Sequence, residues 1–213
     1  MDDTQLIART AANRRLFADV LDALGEAHAR DATLCEAWDV RTLAGHQLQP
    51  IRVPSWRFLL TAARVRSMAG ACDVHAARLG DRPLAETAAE LRREAAAGSK
   101  PWYIGRAGPF TDSCIHLRDL AEPQGLDVTV PLEDWRAALD IIVTPRGRES
   151  FVPVKGLLKD LHLQASDTGW SHGEGPTVTG TAEALAMVVS GRPAYLDRIS
   201  GAGAAVVRER LGA

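Results

Sequence analysis

A cysteine framework is missing from this chain: Cys35, Cys72 and Cys114 are its only cysteines, an odd number at wide spacing with no C-x-x-C pair. That excludes a disulfide scaffold and a cysteine zinc knot, and reduced thiols in a cytoplasm fit better. An excess of either charge is missing too, with 25 Lys and Arg against 27 Asp and Glu and a formal charge of -2. No broad basic surface can therefore neutralise a run of phosphates, so nucleic acid is not the expected partner. No apolar stretch approaches the roughly 18 to 20 residues of a membrane span. The N-terminus, MDDTQLIARTAANRR, is charged where a signal peptide needs an apolar run. The expectation is a cytoplasmic protein with a small-molecule partner, no membrane, and a homodimer as a candidate assembly.

What is present is the balance of a folded chain, 213 residues with 46% hydrophobic and 24% charged, long enough to bury a real core without a staple. From Thr4 to about His28, Leu6, Phe17, Val20, Leu21 and Leu24 recur at helical steps. Asp39 stands before VRTLAGHQL, where a short acid caps a helix expected over Val40 to Gln49. Pro50 and Pro54 interrupt, then SWRFLLTAARVRSMA predicts a third helix from about Ser55 to His75. Pro83 to Ala97 is built from strong helix formers. Gly98 to Phe110, with Trp102 and Arg106, reads as a loop of the kind that covers a site. Further helices are expected over about Thr111 to Leu120 and Leu132 to Val143. After residue 150, KGLLKDLHLQASD and GPTVTG predict two strands, followed by short helices in TAEALAMVVSG, PAYLDRIS and AGAAVVRERL.

Chemistry concentrates where a helix carries D-x-x-x-H. Residues four apart share a face, so Asp112 and His116 can present a carboxylate and an imidazole to one point. His46, on a neighbouring helix, can complete a His/carboxylate/His set of three ligands, which leaves a divalent ion with open positions for water or substrate. Asp119 either accepts an imidazole N–H or faces solvent. Trp38 reads as a hydrophobic clamp on the helix start, Trp170 as a plug against the core, Cys35 and Cys114 as buried thiols, and His75 and His162 as packing or surface residues.

The flanking residues carry a resemblance. LCEAWDVRTLAGHQL resembles the L-C-x-G-W-x-V-R-D-L-x-x-H-L signature of the mycothiol-dependent maleylpyruvate isomerase family, a branch of the DinB-like metal-binding four-helix bundles. TDSCIHLRDLAEPQGL resembles that family's second metal segment, and IIVTPRG with LHLQASDTGWSHGEGPTVTGTAEALAMVVSGRPAYLDRISGAGAAVV resembles the C-terminal stretch of short actinobacterial members. The resemblance implies a mainly α fold, with residues 1–145 as the DinB-like bundle and 146–213 as a short α+β region packed on it. It implies a divalent ion, zinc first, on His46, Asp112 and His116, with mycothiol as the thiol cosubstrate of an isomerase or transferase. Asp112 stands where the isomerase has Glu, Glu122 where Arg is usual before Pro123, and the C-terminal region reads as too short for a full second domain.

With a thiol as cosubstrate, coordination deprotonates it and the sulfur attacks an electrophilic carbon; addition then expulsion isomerises, and addition with a leaving group transfers. Arg106 and Arg118 are the candidate cations for an anionic substrate, each also compatible with a solvated role. Two rivals stand beside this reading: a metal-dependent hydrolase in which activated water replaces the thiol, and a non-catalytic metal-binding stress or regulatory protein.

Overall fold

The computed structural model describes residues 1–97 and 103–212. They form a mainly α fold with one small sheet, in two compact units, Met1–Thr129 and Val130–Ala213.

The first unit is a four-helix bundle with an appended helical pair. Its helices are α1 (Asp3–Leu24), α2 (Val40–Arg52), α3 (Ser55–Val65), α4 (Met68–Gly80), α5 (Leu84–Arg93) and α6 (Ala107–Ala121). A ring closes because α1 packs on α5 and α6, and α2 packs on the same two; α4 lies along α2, and α3 packs on α4. The buried stripe of α1 runs through Leu6, Thr10, Asn13, Arg14, Phe17 and Leu21, a helical period that carries three polar residues inward. The close pairing of α2 with α4 depends on glycine. A Cβ on Gly45 would lie 2.1 Å from the Ala76 carbonyl oxygen and 2.3 Å from the Gly80 nitrogen.

Several boundaries differ from those the sequence predicts. The single third helix is two, because Arg66 turns left-handed at φ 57° and the Ser67 hydroxyl then caps α4 by accepting from the Gly70 amide at 2.9 Å. Neither glycine nor proline marks that break. Helix α2 runs on through Pro50 to Arg52; the proline leaves one carbonyl without its helical donor, and at the last turn that cost is small. Helix α6 begins at Ala107, with Pro109 in its first turn, where a missing amide hydrogen is tolerated. Of the expected site-covering loop, residues 98–102 lie outside the described residues.

The second unit holds α7 (Leu132–Ile142), α8 (Pro145–Phe151), β1 (His162–Ala165), β2 (Ser171–His172), β3 (Thr177–Gly180), α9 (Ala182–Val189) and α10 (Ala202–Leu211). Strand β1 is central, antiparallel to β2 and parallel to β3. Helix α9 is buried on nearly every side, so it forms the middle of this unit, against α7 and the sheet. The helix α7, expected with the bundle, packs instead with α8 and α9. Trp170 plugs the core as expected and donates its indole N–H to Asp140 at 2.8 Å. PAYLDRIS forms a 3-10 helix over Pro193–Arg198. No helix among the described residues is long and apolar enough to cross a membrane.

Candidate metal centre

Helix α2 sets one side of the site. Asp39 caps it, its carboxylate accepting the Thr42 amide at 2.8 Å, and two turns later His46 faces α6. Helix α6 supplies Asp112 and His116 from one turn. The imidazole Nε2 of His46 lies 3.3 Å from the Asp112 carboxylate, and Nε2 of His116 lies 3.2 Å from it. One donor atom from each of the three falls within 4.8 Å of the others. The two rings meet edge-on with centroids 4.8 Å apart.

The charges suit a cation. Burial alone would raise the Asp112 carboxyl, but the imidazoles of His116 and His46 hold it well below the usual carboxylate range. Burial would lower His116, yet Asp112 first, then Cys35 and the hydrogen bond to Asp119, push it well above the ordinary imidazole value. A position that attracts a proton this strongly is one where a divalent ion can replace it. Asp119, fully buried, fixes the ring by accepting from Nδ1 at 2.7 Å, which turns Nε2 toward Asp112; this is the usual support of a ligating histidine. His46 Nδ1 is buried without a hydrogen-bond partner among the described residues. The donor set, two imidazoles and a carboxylate, matches what zinc and similar ions take when positions stay open.

The structure thus brings His46, Asp112 and His116 together, and it also assembles neighbours that sequence reasoning missed. Gln47 donates to Asp112 at 3.3 Å. Trp38 is not a core clamp: it is half-buried, its ring centroid lies 4.6 Å from that of His46 and 5.9 Å from that of His116, and its indole N–H donates to Asp73 at 2.9 Å. It forms a wall of the site. Cys35 is likewise not a buried inert thiol. It donates to Asp119 at 3.1 Å and lies 3.7 Å from His116 Nδ1, so Cys35, His116 and Asp119 form a second donor group on the opposite edge of the same ring. Cys114 is buried as expected and accepts from Asn13 at 3.3 Å. Cys72 is held as a neutral thiol, because burial, then the carboxylates of Asp112 and Asp73, push it up to about 11.

The two candidate arginines part company. Arg118 sits two residues from His116, so it leaves α6 in a different direction; it donates to the Val128 carbonyl at 2.8 Å and pairs with Glu122. Both contacts are to residues at or beyond the end of α6. Glu122, the acid in place of the usual arginine, is its partner. Arg106 stands at the start of α6 beside a recess that also exposes part of Arg14, a residue with no place in the sequence reading. The available signal for it was a charged residue on the otherwise apolar stripe of α1.

Fold and site define a class: a four-helix bundle with an open histidine–carboxylate–histidine donor set between two of its helices. Comparison with protein-family models and with curated proteins finds no match. Among solved structures, the chain is similar to the mycothiol-dependent maleylpyruvate isomerase, with a TM-score of 0.52 and 14% identity over 96% of this chain and 94% of that one. It is similar also to a histidine-to-alanine mutant of the mycothiol-dependent maleylpyruvate isomerase, with a TM-score of 0.53, 13% identity and the same coverage. The chain shares that fold, as the segments around His46 and Asp112 implied. A match over 94% of the isomerase chain also corrects the expectation of a C-terminal region too short for a second domain.

Proposed function

We propose that this protein is a divalent-metal-dependent enzyme of thiol chemistry, an isomerase or transferase that uses mycothiol and acts on a small electrophile. The observation that carries the reading is the convergence of His46 Nε2, His116 Nε2 and the Asp112 carboxylate on one point from two rigid helices. The fold shared with mycothiol-dependent isomerases supports the same conclusion for the class of reaction.

In this reading His46, Asp112 and His116 hold a zinc-like ion, which when bound makes a thiol acidic enough to react at neutral pH. The chain's own residues prepare that chemistry. Asp119 keeps the His116 proton on Nδ1, leaving Nε2 free to ligate. Gln47 holds one Asp112 oxygen, so the carboxylate cannot swing away. Trp38 covers both imidazoles from one side and keeps water from that flank, which strengthens electrostatic attraction within the site. The thiol adds to an electrophilic carbon and is then expelled, giving isomerisation; expulsion of a different group instead leaves the thiol joined to the substrate, giving transfer.

The test is metal analysis of the wild type and His46→Ala, followed by thermal-shift measurements with and without mycothiol. The proposal expects about one equivalent of divalent metal in the wild type, little in His46→Ala, and a mycothiol-dependent stabilisation of the metal-loaded form alone. Stabilisation by mycothiol in the metal-free variant would separate thiol binding from the metal and overturn the mechanism.

A further inference from the structure

Between α1, the end of α5 and the start of α6 lies a recess lined by Thr10, Arg14, Ala95, Arg106 and Pro109 among others, with Arg14 near enough to Asp112 to feel its charge. Arg14 is only 3% exposed. Its Nη1 donates to the carbonyl oxygens of Ala95, at 3.0 Å, and Ala97, while its Nε, buried, has no acceptor among the described residues. Arg14 makes no ion pair with a carboxylate among the described residues. A buried guanidinium with an orphaned N–H is an expensive arrangement, because desolvated charge costs free energy until a counter-charge meets it, and a second arginine, Arg106, lines the same recess.

We propose that this recess is an anion subsite that takes a carboxylate of the substrate, with Arg14 and Arg106 as its two cations. Burial, offset in part by Asp112, brings the Arg14 guanidinium down to about 10, which leaves it charged at neutral pH. A planar carboxylate matches the flat donor fork of arginine better than a spherical ion does. The start of α6 favours the same charge: its first turn carries no acid and no side chain caps it, so the helix presents its positive end there. Thr10 adds no competing charge, since its hydroxyl is spent on the Leu6 carbonyl at 2.7 Å.

The location gives the substrate a size. Arg106 precedes Asp112 by six positions on α6, roughly 9 Å along the axis, and Asn13, the neighbour of Arg14, donates to the Ser113 hydroxyl at 3.1 Å. The subsite therefore lies one short molecule away from the donor cluster. A carboxylate of about four to six carbons can rest its acid group on the arginines while its electrophilic carbon reaches the metal-side thiol. This assignment of the anion to a substrate rests on the function proposed above; binding of the anion to the two arginines does not.

The test uses the metal-loaded protein with ¹⁵N-labelled arginine side chains, titrated with sodium succinate against sodium chloride at matched ionic strength, with succinamide as the neutral control and phosphate as a free-anion arm. The Arg14 Nε–H signal, identified by its loss in Arg14→Lys, is expected to move saturably with succinate and not with succinamide. Apparent affinity should fall at least tenfold in Arg106→Gln, whose more exposed side chain makes it the safer variant for folding, and should persist in metal-free His46→Ala. No saturable movement overturns the subsite, as does a response in Arg106→Gln equal to wild type. Equal or tighter binding of phosphate overturns the carboxylate assignment. Succinate binding lost in His46→Ala but kept in Arg106→Gln places the anion on the metal and also overturns it. Binding that survives in His46→Ala while mycothiol fails to stabilise the wild type keeps the subsite and defeats the thiol reading alone.

Discussion

The His116 ring stands between two donor groups, with Nε2 facing Asp112 and His46, and Nδ1 facing Asp119 and Cys35. Only one edge can hold the ion while the other supports it, and Asp119→Asn decides which. If the ion sits with His46 and Asp112, the change removes charge from a supporting hydrogen bond of 2.7 Å to a fully buried carboxylate. Charge-assisted hydrogen bonds contribute about 1.5–3 kcal/mol, and outer partners of ligating histidines are worth about 10–100-fold in metal affinity; the two ranges agree. Asp112→Asn removes a ligand and should cost more than about 100-fold. Chelator competition with zinc measures both. Cobalt substitution adds an independent reading, because a cysteine ligand gives an intense near-ultraviolet charge-transfer band that imidazole and carboxylate do not. The expected spectrum lacks that band and is unchanged in Cys35→Ala. Equal affinity losses for the two Asn variants, or a thiolate band that vanishes in Cys35→Ala, would move the ion to the Cys35 edge and refute the assignment.

Other perturbations probe the scaffold around the site. Glu90, 8% exposed at its side chain, pairs with Arg82 at 2.6 Å and with Arg52; burial would raise its carboxyl, but the two arginines bring it below the ordinary 4.5. A depressed carboxyl stabilises the fold above its unfolded value and loses that contribution as pH falls through the folded one. Wild type should therefore lose stability below about pH 4.5, while Glu90→Gln is less stable by about 1–2 kcal/mol at pH 7 and shows a flatter acid profile in urea melts; parallel profiles would refute this. Trp38 touches both imidazoles, so zinc should change tryptophan fluorescence in the wild type, and Trp38→Phe should bind zinc without that change. A full response in Trp38→Phe would assign the signal to another tryptophan. Gly45→Ala forces a methyl against the α4 backbone beside His46, with an expected cost of about 1–3 kcal/mol and weaker metal retention; a melting temperature equal to wild type would show that α2 and α4 separate freely.

Helices were legible where periodicity and caps agree. Asp39 before a run of apolar residues gave the start of α2 because a short acid satisfies free amides wherever the chain places it. The Arg66 break between α3 and α4 was not legible, since a left-handed arginine has no signature and only the Ser67 cap hinted at it. The place of α7 escaped for another reason. Its apolar face, Trp135, Ala138, Leu139 and Ile142, fits any apolar neighbour, and which neighbour it finds is decided by residues far along the chain.

The same divide runs through the site. Asp112 and His116 are one turn apart on one helix, so their meeting is local geometry, and the motif around His46 supplied the third member. Trp38 and Cys35 come from the segment before α2, which has no period to read. Their position is set by contacts such as the Leu34 amide donating to the Asp119 carbonyl at 3.1 Å. That bond, with Gln124 donating to the Ala32 carbonyl at 3.0 Å, ties the segment to the end of α6 and so brings Cys35, rather than a residue nearer His116 in sequence, to the Asp119 carboxylate. Arg14 sits on the apolar stripe of α1, and an amphipathic pattern, which counts apolar residues, does not single out the exception. In a buried stripe the charged exception is the informative residue, since only a partner makes its burial tolerable. Among the described residues the hydrogen-bond partners of Arg14 are two carbonyls, neither of which carries a negative charge to set against the guanidinium.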